Sequence, residues 1–342
     1  MGLGFQLTLS FLAVAAASAI LTGMVYRHAV ARQWLAMPNA RSSHAVPTPS
    51  SGGIGLAVVA LGVFAILGVT GALPASIAMA LVGGGALVAV VGWMDDRRQL
   101  PARVRLIAYV IAAVWAIWWI RGPDTIFVGM TVVSLGVWGA LLAVLCTVAF
   151  SNLYNFMDGI DGLIGAQAVL AGSVLALLSF LVGAPAIAAA YGTLAAAALG
   201  FLVWNWHPAK IFMGDVGSVL LGFSFAVLAV ASEQLRAVPA LTWITIFAVV
   251  IVDAGFTTIR RAIRGERWYE AHRMFSYQRA VQAGHRHSTV VLGVLALDVA
   301  LVVLAFIGLQ RPNLLIPTTV TAILLAVAIW AWYQFRPARP PA

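Results

Sequence analysis

The sequence predicts an all-α polytopic membrane protein with about 11 transmembrane helices, on three observations. Of its 342 residues, 62% are hydrophobic and 9% charged, far too few charges for a water-facing surface. Apolar runs of about 18 to 20 residues recur along the whole chain, each long enough to cross a bilayer. Inside lipid only structures that satisfy their own backbone persist, and runs of this length do so as helices. Basic residues are also sorted between alternate loops. All but Arg121, Arg236 and Arg311 of the 20 Lys and Arg residues share the side that holds the two long loops. By the positive-inside rule that side is cytoplasmic.

In order, the spans are expected near 5–25, 53–72, 76–94, 104–120, 131–150, 163–182, 185–204, 214–232, 239–259, 289–309 and 314–334. The first run, Phe5 to Tyr26, has no basic leader and is too long for a signal-peptide core, so it reads as a retained span. The N-terminus is then periplasmic and the C-terminus cytoplasmic. Most connections are short; the long ones are Arg27 to Gly52 and Arg260 to Ser288. Residues 1–335 read as a single integral-membrane domain and the tail RPARPPA, 336–342, as a disordered cytoplasmic extension. Cys146, the single cysteine, excludes an internal disulfide. The net charge of +9 suits attraction to anionic membrane lipids.

Asp95, Asp96, Asp158, Asp161 and Asp215 all fall at cytoplasmic ends of spans, as do the six histidines. WMDDRRQLPARVR, 93–105, closes span three. Its adjacent carboxylates repel, so they either share a cation or sit in a solvated loop with their own arginines. NLYNFMDGIDGL, 152–163, places Asn152, Asn155, Asp158 and Asp161 at every third position, one face of a helix. Asp161 has a second reading as the N-cap of span six. In HPAKIFMGDVGS, 207–218, Asp215 sits between glycines at a helix N-terminus that attracts anions, and Lys210 is expected within reach of the same anion. The basic loop 260–287 interleaves Arg and His with Trp268, Tyr269, Phe275 and Tyr277. It reads either as an interfacial amphipathic helix or as a lid over a nucleotide or phosphate. Asp253 lies inside span nine, where a carboxylate is costly without a partner; Arg260 or Arg261 is expected to supply one. Asp298 in span ten has no supporting motif. Together the clusters suggest a cytoplasmic-facing cleft where a divalent cation holds phosphates, the chemistry of phosphoryl transfer. A carrier with relay carboxylates would instead need acids near mid-bilayer and routes to both faces.

In that arrangement the chain resembles the polyprenyl-phosphate N-acetylhexosamine-1-phosphate transferases, a glycosyltransferase family 4 type. The matching pieces are PNARSSHAVPTP, DDRRQLPARVR, NLYNFMDGIDGL, PAKIFMGDVGSVLLGF, VDAGFTTIRR and AHRMFSYQRAVQAG. The span count and N-terminus resemble the branch that primes surface polysaccharides such as the lipopolysaccharide O-antigen. The resemblance implies a multi-pass enzyme of the bacterial inner membrane with its active site on the cytoplasmic face. It would transfer a sugar-1-phosphate from a UDP-N-acetyl sugar to a polyprenyl (undecaprenyl) phosphate and release UMP. It implies Mg2+ as cofactor, with Mn2+ as a substitute, membrane lipids as surroundings, room for a homodimer and no nucleic-acid partner. Asp95, Asp96, Asp158 and Asp161 would be the catalytic carboxylates, with Asp215, Asp95 and Asp96 on the metal. Asn152, Asn155, Lys210, Asp253, His272, Arg273, Gln278, Arg279, Arg105 and His44 would line the substrates. The chain departs from the family pattern at Ser50 and Ser51, where an arginine and glycines are usual, and at Phe275, where a histidine is usual. Those departures are expected to alter the donor side, favouring a deoxy or amino-modified N-acetyl sugar, and to leave the metal site untouched.

Overall fold

The computed structural model describes residues 3–36, 46–267 and 272–335. The expectations for His44, Trp268 and Tyr269 and for the tail 336–342 lie outside the described residues. The fold is helical, and nine helical runs among the described residues are long and apolar enough to cross a membrane. In chain order the helices are α1 (Leu3–Ala31), α2 (Gly53–Val69), α3 (Ala75–Met79), α4 (Gly85–Arg98), α5 (Ala102–Ile120), α6 (Trp138–Phe156) and α7 (Leu163–Leu181). They continue as α8 (Pro185–Asn205), α9 (Asp215–Gln234), α10 (Ala240–Ile246), α11 (Ala248–Ile263), α12 (Ser276–Gln282), α13 (His287–Gln310) and α14 (Leu315–Phe335). A π-turn at Ala80–Gly84 joins α3 and α4 into one span. α2, at 17 residues, is the shorter apolar helix.

Two expectations need correction. Span nine is not straight: α10 and α11 meet at Phe247 with a bend of 77°. Hydropathy reports how apolar a segment is, not where its axis points. Two backbone hydrogen bonds anchor Phe247 at the bend, its N–H donating to Trp243 O and the Ile251 N–H donating to Phe247 O. Phe247 is fully buried and meets Phe150, Phe225 and Trp243 at ring-centroid distances of 5.1, 5.1 and 4.6 Å. Such aromatic contacts add to burial. Span five also starts later than expected, because Thr125–Val128 and Thr131–Ser134 form an antiparallel hairpin, β3–β4. Glu233, at the end of α9, accepts the N–H of Phe127 from that hairpin at 2.7 Å and of Ala240 at 2.6 Å. A second two-stranded piece, β1 (Leu35–Ala36) with β2 (Thr48–Pro49), precedes α2.

α9 is the axis of the bundle. It is buried along most of its length and packs against α2, α4 and α6. Lipid offers no hydrophobic drive between helices, so close packing carries association, and small residues permit it. At Gly92 of α4 a side chain would collide with the backbone of Asp215 and Val216. This contact sets how near the end of α4 comes to the start of α9. Gly92→Val should therefore lower the thermal unfolding midpoint in detergent by several degrees, whereas Gly62→Ala, whose added carbon meets open space, should leave it unchanged. Equal midpoints for the two variants would remove this role.

Candidate active site

The last turn of α4, the first turn of α5 and the first turn of α9 meet at one end of the bundle. α4 stops because Gln99 takes the left-handed conformation. Asp95 Oδ1 accepts the N–H of Leu100, which fixes the turn into α5. Asp96 reaches across to α9 and accepts the N–H of Asp215 on Oδ1 at 2.8 Å. The first N–H groups of a helix have no partner within it, so Asp96 satisfies from another helix what a local cap would otherwise supply. Gly214 makes room: its φ is +75°, and a side chain there would run into the Asp96 carboxylate. Arg105 Nη1 joins the group, 2.8 Å from Asp95 Oδ2 and 3.4 Å from Asp215 Oδ2. Two carboxylates thus meet one guanidinium, and Asp96 joins them through the Asp215 backbone. Arg97 makes no ion pair there, since its guanidinium lies 3.2 Å over the Trp34 ring, but its charge still acts on Asp96.

The structure contradicts one expectation about this group. Ser51 was expected to alter only the donor side, yet its hydroxyl donates to Asp96 Oδ2 at 3.1 Å. Ser51 is fully buried, with φ +69°. The substitution seen against the family pattern therefore enters the carboxylate cluster itself.

The polar run after α6 divides between two places. Asn155 Oδ1 lies 2.9 Å from the Ser218 hydroxyl, which also stands 3.0 Å from Gly214 O and has one proton to give to either. Asn152 turns back to its own helix, donating to Val148 O. Asp158 sits in the turn beyond α6; burial, then the charges of Asp96 and Asp161, push its carboxyl up to about 7. It therefore shares the electrostatics of the cluster. Asp161 points elsewhere. Its Oδ2 lies 2.7 Å from His207 Nδ1 and 3.3 Å from His287 Nδ1, and it accepts the N–H of Ala209 at 3.2 Å. Nor does it cap α7: the N-cap is Gly162, which has no side chain to cap with. The Gly162 N–H instead goes to Asn205 Oδ1 at 3.0 Å, and Asn205 donates to Ile211 O.

Asp253 is not paired with an arginine. Its two oxygens accept the N–H groups of Ser276 and Tyr277 at 2.8 and 3.3 Å, so it caps α12 from α11. Arg260 and Arg279 go to Gln334 Oε1 at 2.9 and 3.0 Å. The cap holds Gln278 in place; its amide nitrogen sits beside Gly159 and its Oε1 is buried without a partner. Arg273 likewise has a buried, unpartnered Nε. Phe275 is buried and stacks between Phe156 and Tyr277, both 5.9 Å away, so the missing histidine is replaced by packing. Lys210 does not reach the cluster; it is exposed and its Nζ lies 5.3 Å over the Trp204 ring. Asp298 is buried with neither oxygen bonded.

Sequence reasoning missed Ser218 and the contact of Ser51 with Asp96. It also missed Tyr109, whose hydroxyl is buried, unpartnered and close enough to Asp215 and Arg105 to feel their charges. Tyr109 stands four residues after Arg105, so the helical period could have revealed it.

A polytopic helical bundle with several carboxylates gathered at one end has the oxygen donors that a divalent cation and phosphates require. A family profile, Glycosyl transferase family 4, matches residues 78–233. The decaprenyl-phosphate N-acetylglucosaminephosphotransferase of Mycobacterium leprae (strain TN) is 30% identical over 330 residues, spanning 84% of this chain and 80% of its own. The protein of the same name from Mycolicibacterium smegmatis is 30% identical, spanning 84% and 78%. A phospho-N-acetylmuramoyl-pentapeptide-transferase of Picosynechococcus sp. is 34% identical over 224 residues, spanning 61% and 60%. The chain belongs to glycosyl transferase family 4, among its polyprenyl-phosphate N-acetylhexosamine-1-phosphate transferases.

The charge state of His272 bears on any anion held there. Burial, then the Arg261 charge, lowers its imidazole to about 4. Because the folded value lies below the usual 6.5, its contribution to stability is present above pH 6.5 and lost as pH falls towards 4. His272 should thus stay neutral from pH 8 to 5 in an imidazole NMR titration. A midpoint near 6.5 would contradict this.

Proposed function

We propose that the chain transfers an N-acetylhexosamine-1-phosphate from a UDP-sugar to polyprenyl (undecaprenyl) phosphate. The observation that carries this reading is the meeting of Asp95, Asp96 and Asp215, with Arg105 paired to Asp95 and Asp215. Such a cluster is short of positive charge, and its hard oxygen donors suit Mg2+, which takes few carboxylates and completes its shell with water and phosphate. Asp215, Asp95 and Asp96 would hold the ion, and bound there it would neutralise charge on the diphosphate. An oxygen of the lipid phosphate attacks the phosphorus that bears the sugar. The bond from that phosphorus to the bridging oxygen breaks, and UMP leaves with that oxygen. A phosphate monoester is largely dianionic near neutral pH, since its second pKa is about 6, so no base is needed to generate the nucleophile. Arg105 positions Asp95 and Asp215, while Asn155 and Asp158 form the wall beside them. The orphaned Gln278 Oε1 and Arg273 Nε support a donor site against α12. The distribution of basic residues supports a cytoplasmic-facing site in a bacterial inner membrane. The first membrane step of O-antigen or another envelope polysaccharide is the role that fits this product.

The direct test follows UMP release by purified protein given Mg2+, polyprenyl phosphate and a panel of UDP-sugars; no UMP with any donor would sink the proposal. Asp215→Asn should abolish turnover while the protein still expresses and unfolds cooperatively. Ser51→Ala removes one hydrogen bond to Asp96, worth about 0.5–1.5 kcal/mol. It should shift the Mg2+ concentration for half-maximal activity by roughly 2- to 10-fold, and an unchanged Mg2+ dependence would remove Ser51 from the site.

A further inference from the structure

Three helices end together on the side of the bundle richer in basic residues, and they leave positive charge unbalanced there. Arg260 lies in the last turn of α11, Arg279 in the last turn of α12, and Gln334 one residue before the end of α14. Arg260 Nη1 and Arg279 Nη1 both donate to Gln334 Oε1, at 2.9 and 3.0 Å. Arg279 Nη1 also reaches Gln334 O at 3.0 Å. Two guanidiniums thus converge on one uncharged amide oxygen. That oxygen is fixed, because Gln334 is buried and its Nε2 donates to Met274 O at 2.5 Å.

An amide satisfies hydrogen-bond donors without cancelling their charge. Among the described residues no carboxylate pairs with Arg260, Arg264 or Arg279. Glu266 goes to Arg261 at 3.3 Å. The charges of Arg264 and Arg279 act on Arg260 more strongly than that of Glu266 does. The Phe335 ring, 4.9 Å from the Arg260 guanidinium, and the helix C-termini offer only partial negative charge. Like charges gathered so closely repel, and an anion between them removes the cost.

The surroundings say which anion. Phe256, Ile259 and Ile263 form one exposed apolar strip along α11 at helical spacing, and Phe335 is exposed beside Arg260. In a membrane such a strip faces acyl chains, and arginines at its edge hold their heads at the level of the lipid phosphates.

We propose that Arg260 and Arg279, fixed by Gln334 and assisted by Arg264, bind the headgroup phosphate of an anionic phospholipid. Each of the two guanidiniums spends Nη1 on Gln334, and its Nε and Nη2 have no partner among the described residues. Those donors meet phosphate oxygens in the planar geometry that guanidinium favours. The acyl chains lie along the strip of α11. The bound lipid ties the ends of α11, α12 and α14 together from outside the bundle.

The test titrates purified full-length protein in detergent with phosphatidylglycerol or with phosphatidylcholine of the same chains, and counts bound lipid by native mass spectrometry. One phosphatidylglycerol per chain is expected to bind saturably, at least tenfold tighter than phosphatidylcholine. The double variant Arg260→Gln/Arg279→Gln should lose that preference. So should Gln334→Glu, whose carboxylate would neutralise the two guanidiniums internally. Arg264→Gln alters an exposed side chain, so it keeps the test open if those variants fail to fold. It should weaken phosphatidylglycerol binding about fivefold, the share of one basic residue near an anionic surface. Arg311→Gln, on the opposite side, should change nothing. Equal binding of the two phospholipids, or an undiminished preference in Gln334→Glu or Arg264→Gln, would overturn the proposal. So would displacement of phosphatidylglycerol by a tenfold lower concentration of polyprenyl phosphate or by an equal concentration of inorganic phosphate.

Discussion

The hydrogen bond from the Asp215 N–H to Asp96 supports both the fold and the site. A helix that begins at the membrane surface must find acceptors for its first N–H groups. α9 takes one from α4, with no side chain of its own at the cap. That bond, with Gly92 beneath it and Gly214 beside it, brings two carboxylates together that otherwise repel. Arg105 relieves part of the repulsion by touching Asp95 and Asp215. Structural capping and gathering of negative charge are therefore one arrangement, and it leaves an excess of negative charge that a divalent cation and phosphates can answer.

The same economy recurs in the α11–α12 region. A carboxylate inside a membrane helix is costly, and Asp253 meets the cost by capping α12 with both oxygens. This holds Gln278 beside Gly159, on the turn that presents Asp158. Arg260 and Arg279 are drawn instead to Gln334 on α14. The bend at Phe247 sets the direction of α11, so an aromatic cluster in the bundle interior and the position of the candidate donor wall are linked through one helix.

Much of this was legible beforehand. The helical membrane class follows from the apolar runs, because no other use of so little charge is available to a chain of this length. Asp95, Asp96 and Asp215 could be assigned to one group because each sits at the same end of a span, and the structure brings them into contact. Arg105 was legible for the same reason. Lys210 was not: its ammonium lies over the Trp204 ring, and a four-carbon side chain chooses its partner by tertiary contacts that sequence distance does not report. Asp161 looked equivalent to Asp158 by helical period. The helix ends at Phe156, so that period no longer applies, and Asp161 faces the histidines instead.

The sequence by itself determined which segments enter the membrane and which polar residues are stranded at their ends. Those properties depend on local composition and on the cost of unsatisfied polar groups in lipid. Only the tertiary structure decided which stranded groups meet: Ser51 with Asp96, Asp253 with the α12 backbone, and Asp161 with His207 and His287. Each of those contacts joins residues far apart in the chain. Each depends on helix directions, such as the bend at Phe247, and on close approaches, such as Gly92 against Asp215. Such features arise from packing between helices, to which the hydropathy of any one segment is blind.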